Sequence, residues 1–179
     1  CFLFSRFDYP VPLIPGIYPS IERKWYRNSL TRSGPYLSLL ENDFITYEPS
    51  SGEYEYLYSF IGNSTTSSLR ERILSLNHGP RYLKDTSDLW PYAELSVEKR
   101  KKLERRYVDV SRSSKFMLCP RGRGVASIRL FEALRMGRAP VILSDDWVPP
   151  EGPDWSEFSI RVAESDIDEI PRILSRREH

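Results

Sequence analysis

Apolar positions are unevenly spaced along this chain, and their spacing divides it. "YEYLYSFIG" (54–62) is dense in aromatic and β-branched residues and stops at glycine, the pattern of a strand. Ser64–Ser68 then offers a run of N-cap hydroxyls ahead of "LRERILSL" (69–76), a short helix. "YLKDTSDLWPYAEL" (82–95) opens as a strand and dissolves into loop. Ser96 caps "VEKRKKLERRYVDVSR", whose Val97, Leu103, Tyr107 and Val110 fall near one face of a long helix. Three short continuous apolar runs follow: "KFMLC" (115–119), "APVIL" (139–143) and "FSIRV" (158–162). Such runs read as strands buried on both faces. A helix over 127–137 separates the first two, with Ile128, Phe131 and Leu134 turned inward. Asp168 is placed to cap "EIPRILSRRE", with Pro171 in the first turn, where its missing N–H loses no bond. Strand–helix alternation of this kind predicts an α/β fold: a Rossmann-like parallel sheet with helices on both faces. Upstream, Pro10, Pro12, Pro15 and Pro19 predict an irregular, proline-rich arm over 1–50, with the domain itself at 51–179. That arm either wraps the core or is the tail of a preceding domain.

Composition narrows this little. At 40% hydrophobic and 28% charged residues, 179 residues make one ordinary globular domain with an appendage rather than a disordered segment. No stretch approaches the roughly 18 consecutive apolar residues of a membrane span. The chain begins at Cys1, not methionine, and is expected to be a fragment or a processed product. Neither Cys1 nor Cys119 has a second Cys or His at ligand spacing, so no metal site is expected. Cys119 ends an apolar run and reads as a buried thiol, which favours a reducing compartment.

Charge changes the picture more. The net charge is only +1, yet residues 96–129 hold eleven Lys/Arg against three acids. Residues 144–170 hold nine acids against one arginine, and 37–56 hold five acids and no base. A general nucleic-acid binder would be basic throughout; a basic belt beside an acidic one points to a local anion site. The six basic residues at 99–106 read as a solvated helix face, with an acidic acceptor or a membrane surface the alternative.

In open parallel sheets, ligands sit beyond the carboxyl ends of strands, where glycine-bearing turns enter helices. Two turns fit: "FIGNSTTSSLR" after the 57–61 run, and "CPRGRGVASIR" after the 115–119 run. Each brings glycine, hydroxyls and an arginine to a helix start, which is what a phosphate or diphosphate needs. Neither is a G-x-x-x-x-G-K-[ST] loop, and Ser127 stands where a G-x-G-x-x-G motif would have its third glycine. An exposed flexible turn would use the same letters. Arg129 and Glu132, three apart, share a helix face. There they form either a surface ion pair or a phosphate-facing arginine with a carboxylate one turn below, placed to accept from the vicinal hydroxyls of a ribose.

With these residues in view, "SKFMLCPRGRGVASIRLFEALRMGRAPVILSDDWVPP" and "DWSEFSIRVAESDIDEIPRIL" resemble the exostosin-like glycosyltransferases, glycosyltransferase family 47, as does "FIGN" with Arg70 downstream. The resemblance implies inverting enzymes of GT-B architecture, with this chain the C-terminal donor-binding half. It further implies that Ser127 and Arg129 hold a diphosphate, with Gly62, Asn63 and Arg70 on the facing loop. Glu132 would hold the ribose, Arg121 and Gly122 would lie by the base or phosphates, and Asp145 and Asp146 near the sugar. "VPPEGPDW" lacks the family's usual Leu-Pro-Phe. The implied reaction moves a sugar from a UDP-sugar, or another nucleoside-diphosphate sugar, to a glycan or oligosaccharide hydroxyl in polysaccharide synthesis. Arg129 would stabilise the leaving group. The base would be Asp145, Asp146 or a group in a missing N-terminal domain or partner subunit. No D-x-D motif stands at a strand end, and "DID" (166–168) reads as helix capping, so no metal is expected to be required. The rival expectations are a non-catalytic nucleotide-sugar-binding module and an RNA-binding protein; no nucleic-acid partner is expected, because aromatic residues do not interleave the basic cluster. Asn63-Ser64-Thr65 is a glycosylation sequon inside the implied phosphate loop, where a glycan would block the site. That predicts a bacterial-type cytoplasmic enzyme, with membrane association left open and the Golgi lumen as the alternative.

Overall fold

A computed structural model of the chain describes residues 3–5, 14–27, 29–36 and 42–177, and these residues form four α-helices and eight strands. The strands form two parallel sheets. The larger has the order β5-β4-β6-β7-β8, built from β4 (Tyr56–Gly62), β5 (Arg81–Asp85), β6 (Ser114–Pro120), β7 (Ala139–Leu143) and β8 (Ile160–Arg161). Helix α1 (Ser68–Leu74) connects β4 to β5, α2 (Val97–Arg112) returns the chain to β6, α3 (Ile128–Arg135) leads to β7, and α4 (Ile170–Ser175) follows β8.

Both sheet faces are buried, which is why the strand segments read as unbroken apolar runs. Phe60, Phe116, Leu118, Val141 and Leu143 pack with Leu69, Ile73, Ile167, Ile170 and Leu174 on the side of α1 and α4. Met117, Cys119 and Ile142, the alternate positions, pack with Val108, Leu130, Ala133 and Met136 on the side of α2 and α3. The fold is Rossmann-like, as the alternation predicts. Among the described residues no helix is long and apolar enough to cross a membrane.

Local chemistry sets the helix ends. Ser67 and Ser96 cap α1 and α2, their hydroxyls accepting from the Leu69 amide at 3.3 Å and the Lys99 amide at 3.2 Å. Helix α3 stops at Gly137, whose φ of +70° suits a residue without a Cβ. The Arg138 amide then reaches back to the Ala133 carbonyl at 2.9 Å and the Gly137 amide to Leu134 at 3.1 Å, the two bonds of a Schellman stop.

The structure departs from expectation in four places. The prolines predict an irregular arm, but β1 (Leu3–Phe4), β2 (Gly16–Tyr18) and β3 (Thr31–Ser33) form a small parallel sheet. Pro15 and Pro19 flank β2 rather than interrupt it, so no ladder donor is lost; Pro10 and Pro12 lie outside the described residues. Next, α3 buries Leu130 and Ala133, while Ile128, Phe131 and Leu134 are only half-buried. Apolar residues nearly encircle this helix, so its periodicity does not single out a face, and the ring of Tyr36 covers Phe131 edge-on at 6.1 Å. Asp168 does not cap a helix either: its carboxylate takes a 2.9 Å bond from Arg72, and a 3-10 stretch over Glu164–Glu169 leads into α4. Finally, β8 shrinks to two residues because, at the sheet edge, it pairs with β7 alone.

The small sheet is strapped to the segment after β7. Trp147, 1% exposed, donates from its indole to the Pro19 carbonyl at 3.1 Å and pairs with Glu22 in an antiparallel bridge. The Arg23 amide donates to the Asp146 carbonyl at 2.9 Å, and the Ser33 hydroxyl to the Val148 carbonyl at 2.5 Å.

Candidate functional site

Strand order locates the crevice. From β4 the chain steps one way to β5; from β6 it steps the other way to β7 and β8. The connections after β4 and β6 therefore pass over opposite faces, and the turns that begin them part at the carboxyl edge. That switch point is where open α/β sheets bind ligands. Both glycine-bearing turns singled out in the sequence lie there, side by side.

Arg129, in the first turn of α3, crosses this gap. Its Nε donates to the Ile61 carbonyl at 2.7 Å, and its guanidinium lies 5.4 Å from the Phe60 ring centre. Gly62 makes that approach possible: a Cβ there would stand 2.7 Å from Arg129 Nη2 and 2.8 Å from Phe60 Cζ. The Nη groups donate to none of the described residues, so the exposed side of the cation is available to an anion. Two residues earlier, the Ser127 hydroxyl at the start of α3 is buried and makes no hydrogen bond among the described residues. A buried hydroxyl without a partner is costly, and it marks a place where a polar ligand atom would be welcome.

Arg70 comes from the other turn. It is 7% exposed and donates to three backbone carbonyls: Arg121 at 3.1 Å, Asn63 at 3.1 Å and Pro120 at 3.4 Å. The side chain thus bolts the turn after β4 to the turn after β6, with Gly122 beside it; a Cβ at Gly122 would stand 3.1 Å from Arg70 Nη2. The Asn63 side chain accepts from the Thr65 amide at 2.8 Å and the Thr65 hydroxyl at 2.7 Å, closing its own turn.

The side chains of the other residues implied by sequence have partners of their own or face solvent. Glu132, one turn along α3, forms no ion pair with Arg129 among the described residues; Oε2 accepts from the Tyr107 phenol at 2.6 Å. Arg121 grips Glu164 with two bonds, of 2.8 and 3.1 Å, and the pairing raises its pKa. The same carboxylate accepts from the Asp145 amide at 3.3 Å, and Asp145 Oδ1 accepts the Glu164 amide at 3.1 Å. Asp145 and Asp146 are exposed at the end of β7, and the buried hydroxyl of Ser144 just before them has no partner among the described residues.

Three residues that shape the site were not nominated for it from sequence: Glu164, Asp85 and Tyr107, which was read only as part of a helix face. Only Asp85 carried a local signal, the Asp-x-Ser of an Asx-type turn. At the end of β5 it accepts four bonds: from the Ser64 amide at 3.0 Å, the Ser64 hydroxyl at 2.7 Å, the Ser87 amide at 3.0 Å and the Ser87 hydroxyl at 2.9 Å. Burial opposes its ionisation, but these four bonds outweigh it and bring the pKa down to about 2. A depressed folded pKa adds stability that is complete above the unfolded value of 3.8 and is lost as pH falls through about 2. In acid melts, Asp85→Asn should therefore show a shallower loss of stability below pH 4 than the parent. Equal slopes would contradict this anchoring of the turn after β4.

Comparison with known proteins adds to this geometry. Residues 20–176 match the Exostosin GT47 domain. Over 92 residues the chain is 44% identical to an exostosin-1 homolog of Caenorhabditis elegans, covering 50% of this chain and 20% of that protein. It is 42% identical over 71 residues, 38% of the chain, to a probable β-1,4-xylosyltransferase of Arabidopsis thaliana, of which 17% is covered. The same figures hold for a probable glucuronosyltransferase of Oryza sativa subsp. japonica. The chain thus spans a fifth or less of these relatives. They come from an animal and two plants, and such relatives overturn the expectation of a bacterial-type cytoplasmic enzyme.

Proposed function

The chain belongs to the exostosin GT47 family of glycosyltransferases, and on that premise we propose that it binds a nucleoside-diphosphate sugar, with UDP-sugar the donor, in the crevice between β4 and β6. The sugar passes to a hydroxyl of a glycan acceptor with inversion. The observation that carries this is Arg129 lying across Gly62 at the start of α3, beside the unpartnered Ser127 hydroxyl. A guanidinium, a hydroxyl and the free N–H groups of a helix start converge there, as a diphosphate requires.

In this mechanism the acceptor oxygen attacks the anomeric carbon as the bond to the diphosphate oxygen breaks. The electron pair leaves on UDP, where Arg129 and the α3 amides meet the developing charge without calling for a metal. The acceptor proton goes to a carboxylate; Asp145 and Asp146 stand at the neighbouring strand end, and a group outside this chain is the alternative. Arg70 and Arg121 act by holding the loops, since their guanidinium groups are engaged by carbonyls and by Glu164. Glu132 accepts from the ribose hydroxyls.

Two measurements test this. In a coupled UDP-release assay, the intact protein should turn over at least one UDP-sugar when a glycan acceptor is present. Absence of turnover across a broad donor panel would leave only a nucleotide-sugar-binding module. In calorimetry, Glu132→Gln should weaken UDP by about 1.5 kcal/mol, the lower end for a hydrogen bond to a charged group. Inorganic diphosphate should bind as before; equal losses for both would remove the ribose role.

A further inference from the structure

Nothing in α3 itself fixes the Glu132 carboxylate. Arg129, its neighbour on the helix face, gives its Nε to the Ile61 carbonyl and makes no ion pair with the carboxylate among the described residues. The carboxylate is held instead from α2, where Tyr107 donates its phenolic hydrogen to Oε2 at 2.6 Å across 25 residues of chain. Among the described residues this is the hydrogen bond that the Glu132 side chain makes, and Oε1 has no partner.

The donor is itself well anchored. A tyrosine has two side-chain torsions to lose, and α2 is packed down at this point by Val108, 1% exposed, and by Ser111, whose hydroxyl returns to the Tyr107 carbonyl at 2.7 Å. Burial, and then the Glu132 charge, push the Tyr107 pKa well up, with Arg129 opposing, so the phenol keeps its proton and remains a donor. One short bond to Oε2 from a fixed donor removes the swivel of the carboxylate and leaves the lone pairs of Oε1 free.

We propose that Tyr107 is a positioning residue that orients Glu132 so that Oε1 accepts from the donor ribose, an inference resting on the ribose role given above. A phenol serving only to tie two helices together would change stability and leave ligand discrimination alone. Calorimetric titrations of the intact protein with UDP and with inorganic diphosphate separate the two. Tyr107→Phe, which removes one oxygen, should weaken UDP about tenfold, equivalent to about 1.4 kcal/mol, and leave diphosphate within about twofold. The Tyr107→Phe/Glu132→Gln double variant should bind UDP no more weakly than Glu132→Gln alone, because both remove the same interaction.

Unchanged UDP affinity in Tyr107→Phe, with a loss in Glu132→Gln, overturns the positioning role and leaves the ribose role standing. Losses that add in the double variant also overturn it. Glu132→Gln losing UDP and diphosphate alike removes the ribose role and this inference with it. If Tyr107→Phe does not fold, a ring-fluorinated tyrosine fills almost the same space with a more acidic phenol. It should shift UDP affinity but not diphosphate affinity, and no shift in either would refute the proposal.

Discussion

Trp147→Ala is expected to destabilise the protein by about 3–5 kcal/mol, the range for truncating a large buried aromatic side chain. Trp147 is 1% exposed, its ring stands 90° to that of Trp155 at 5.3 Å, and its indole N–H satisfies the Pro19 carbonyl. Truncation opens a cavity on the α2–α3 face of the sheet and leaves that carbonyl unpaired, and the two penalties fall together. For a domain of this size the melting temperature should drop by about 6–20 °C. The small sheet of β1–β3 should also loosen from the segment after β7. Hydrogen exchange would show it at the Arg23 and Val148 amides, which donate to the Asp146 and Ile21 carbonyls. An unchanged melting temperature, or unchanged protection of those two amides, would mean that Trp147 is not the strap it is taken to be. The effect would reach the site, because Asp145 and Asp146 immediately precede Trp147.

Arg129→Ala is expected to cost UDP about 1.5–3 kcal/mol of binding free energy, the scale of a hydrogen bond to a charged group, or about 10- to 150-fold in affinity. Inorganic diphosphate should lose in parallel, unlike in Glu132→Gln, because the guanidinium is proposed to face the phosphates and not the ribose. The fold should survive with a smaller penalty, since the variant gives up one bond to the Ile61 carbonyl and contact with the Phe60 ring. Arg129→Lys should recover only part of the loss: a lysine restores the charge but cannot fork between that carbonyl and a phosphate. Calorimetry showing wild-type UDP affinity in Arg129→Ala would remove the diphosphate from this crevice.

The two predictions differ in how far they could be anticipated from sequence. Arg129 stands in a glycine-bearing strand-to-helix turn, and local chemistry alone nominates it. Trp147 follows two aspartates in a loop, and nothing around it announces a buried anchor. Its partners, Pro19 and Glu22, lie more than a hundred residues upstream, in a segment whose prolines argue against regular structure. Arg70 shows the same divide. The sequence nominates it as an anion ligand because it enters a helix after a glycine turn, whereas its observed bonds go to carbonyls of Asn63, Pro120 and Arg121. Two of those three acceptors belong to the other turn, so no local pattern could reveal them.

What the chain of residues by itself determined was the kind of structure and which turns to nominate for its chemistry. Periods of apolar residues and turn chemistry are short-range properties, and they specify strands buried on both faces, helices between them and glycine turns at strand ends. What only the tertiary structure decided was which of those polar groups remain free. Hydrogen-bond capacity is consumed by whichever partners the fold brings near. Arg121 is matched to Glu164, Glu132 to Tyr107 and Asp85 to Ser64 and Ser87, while the Nη groups of Arg129 and the Ser127 hydroxyl are left without one among the described residues. Those pairings span up to 43 residues and cross between helices and loops, and their selection depends on strand order, which places β6 beside β4 rather than beside β5.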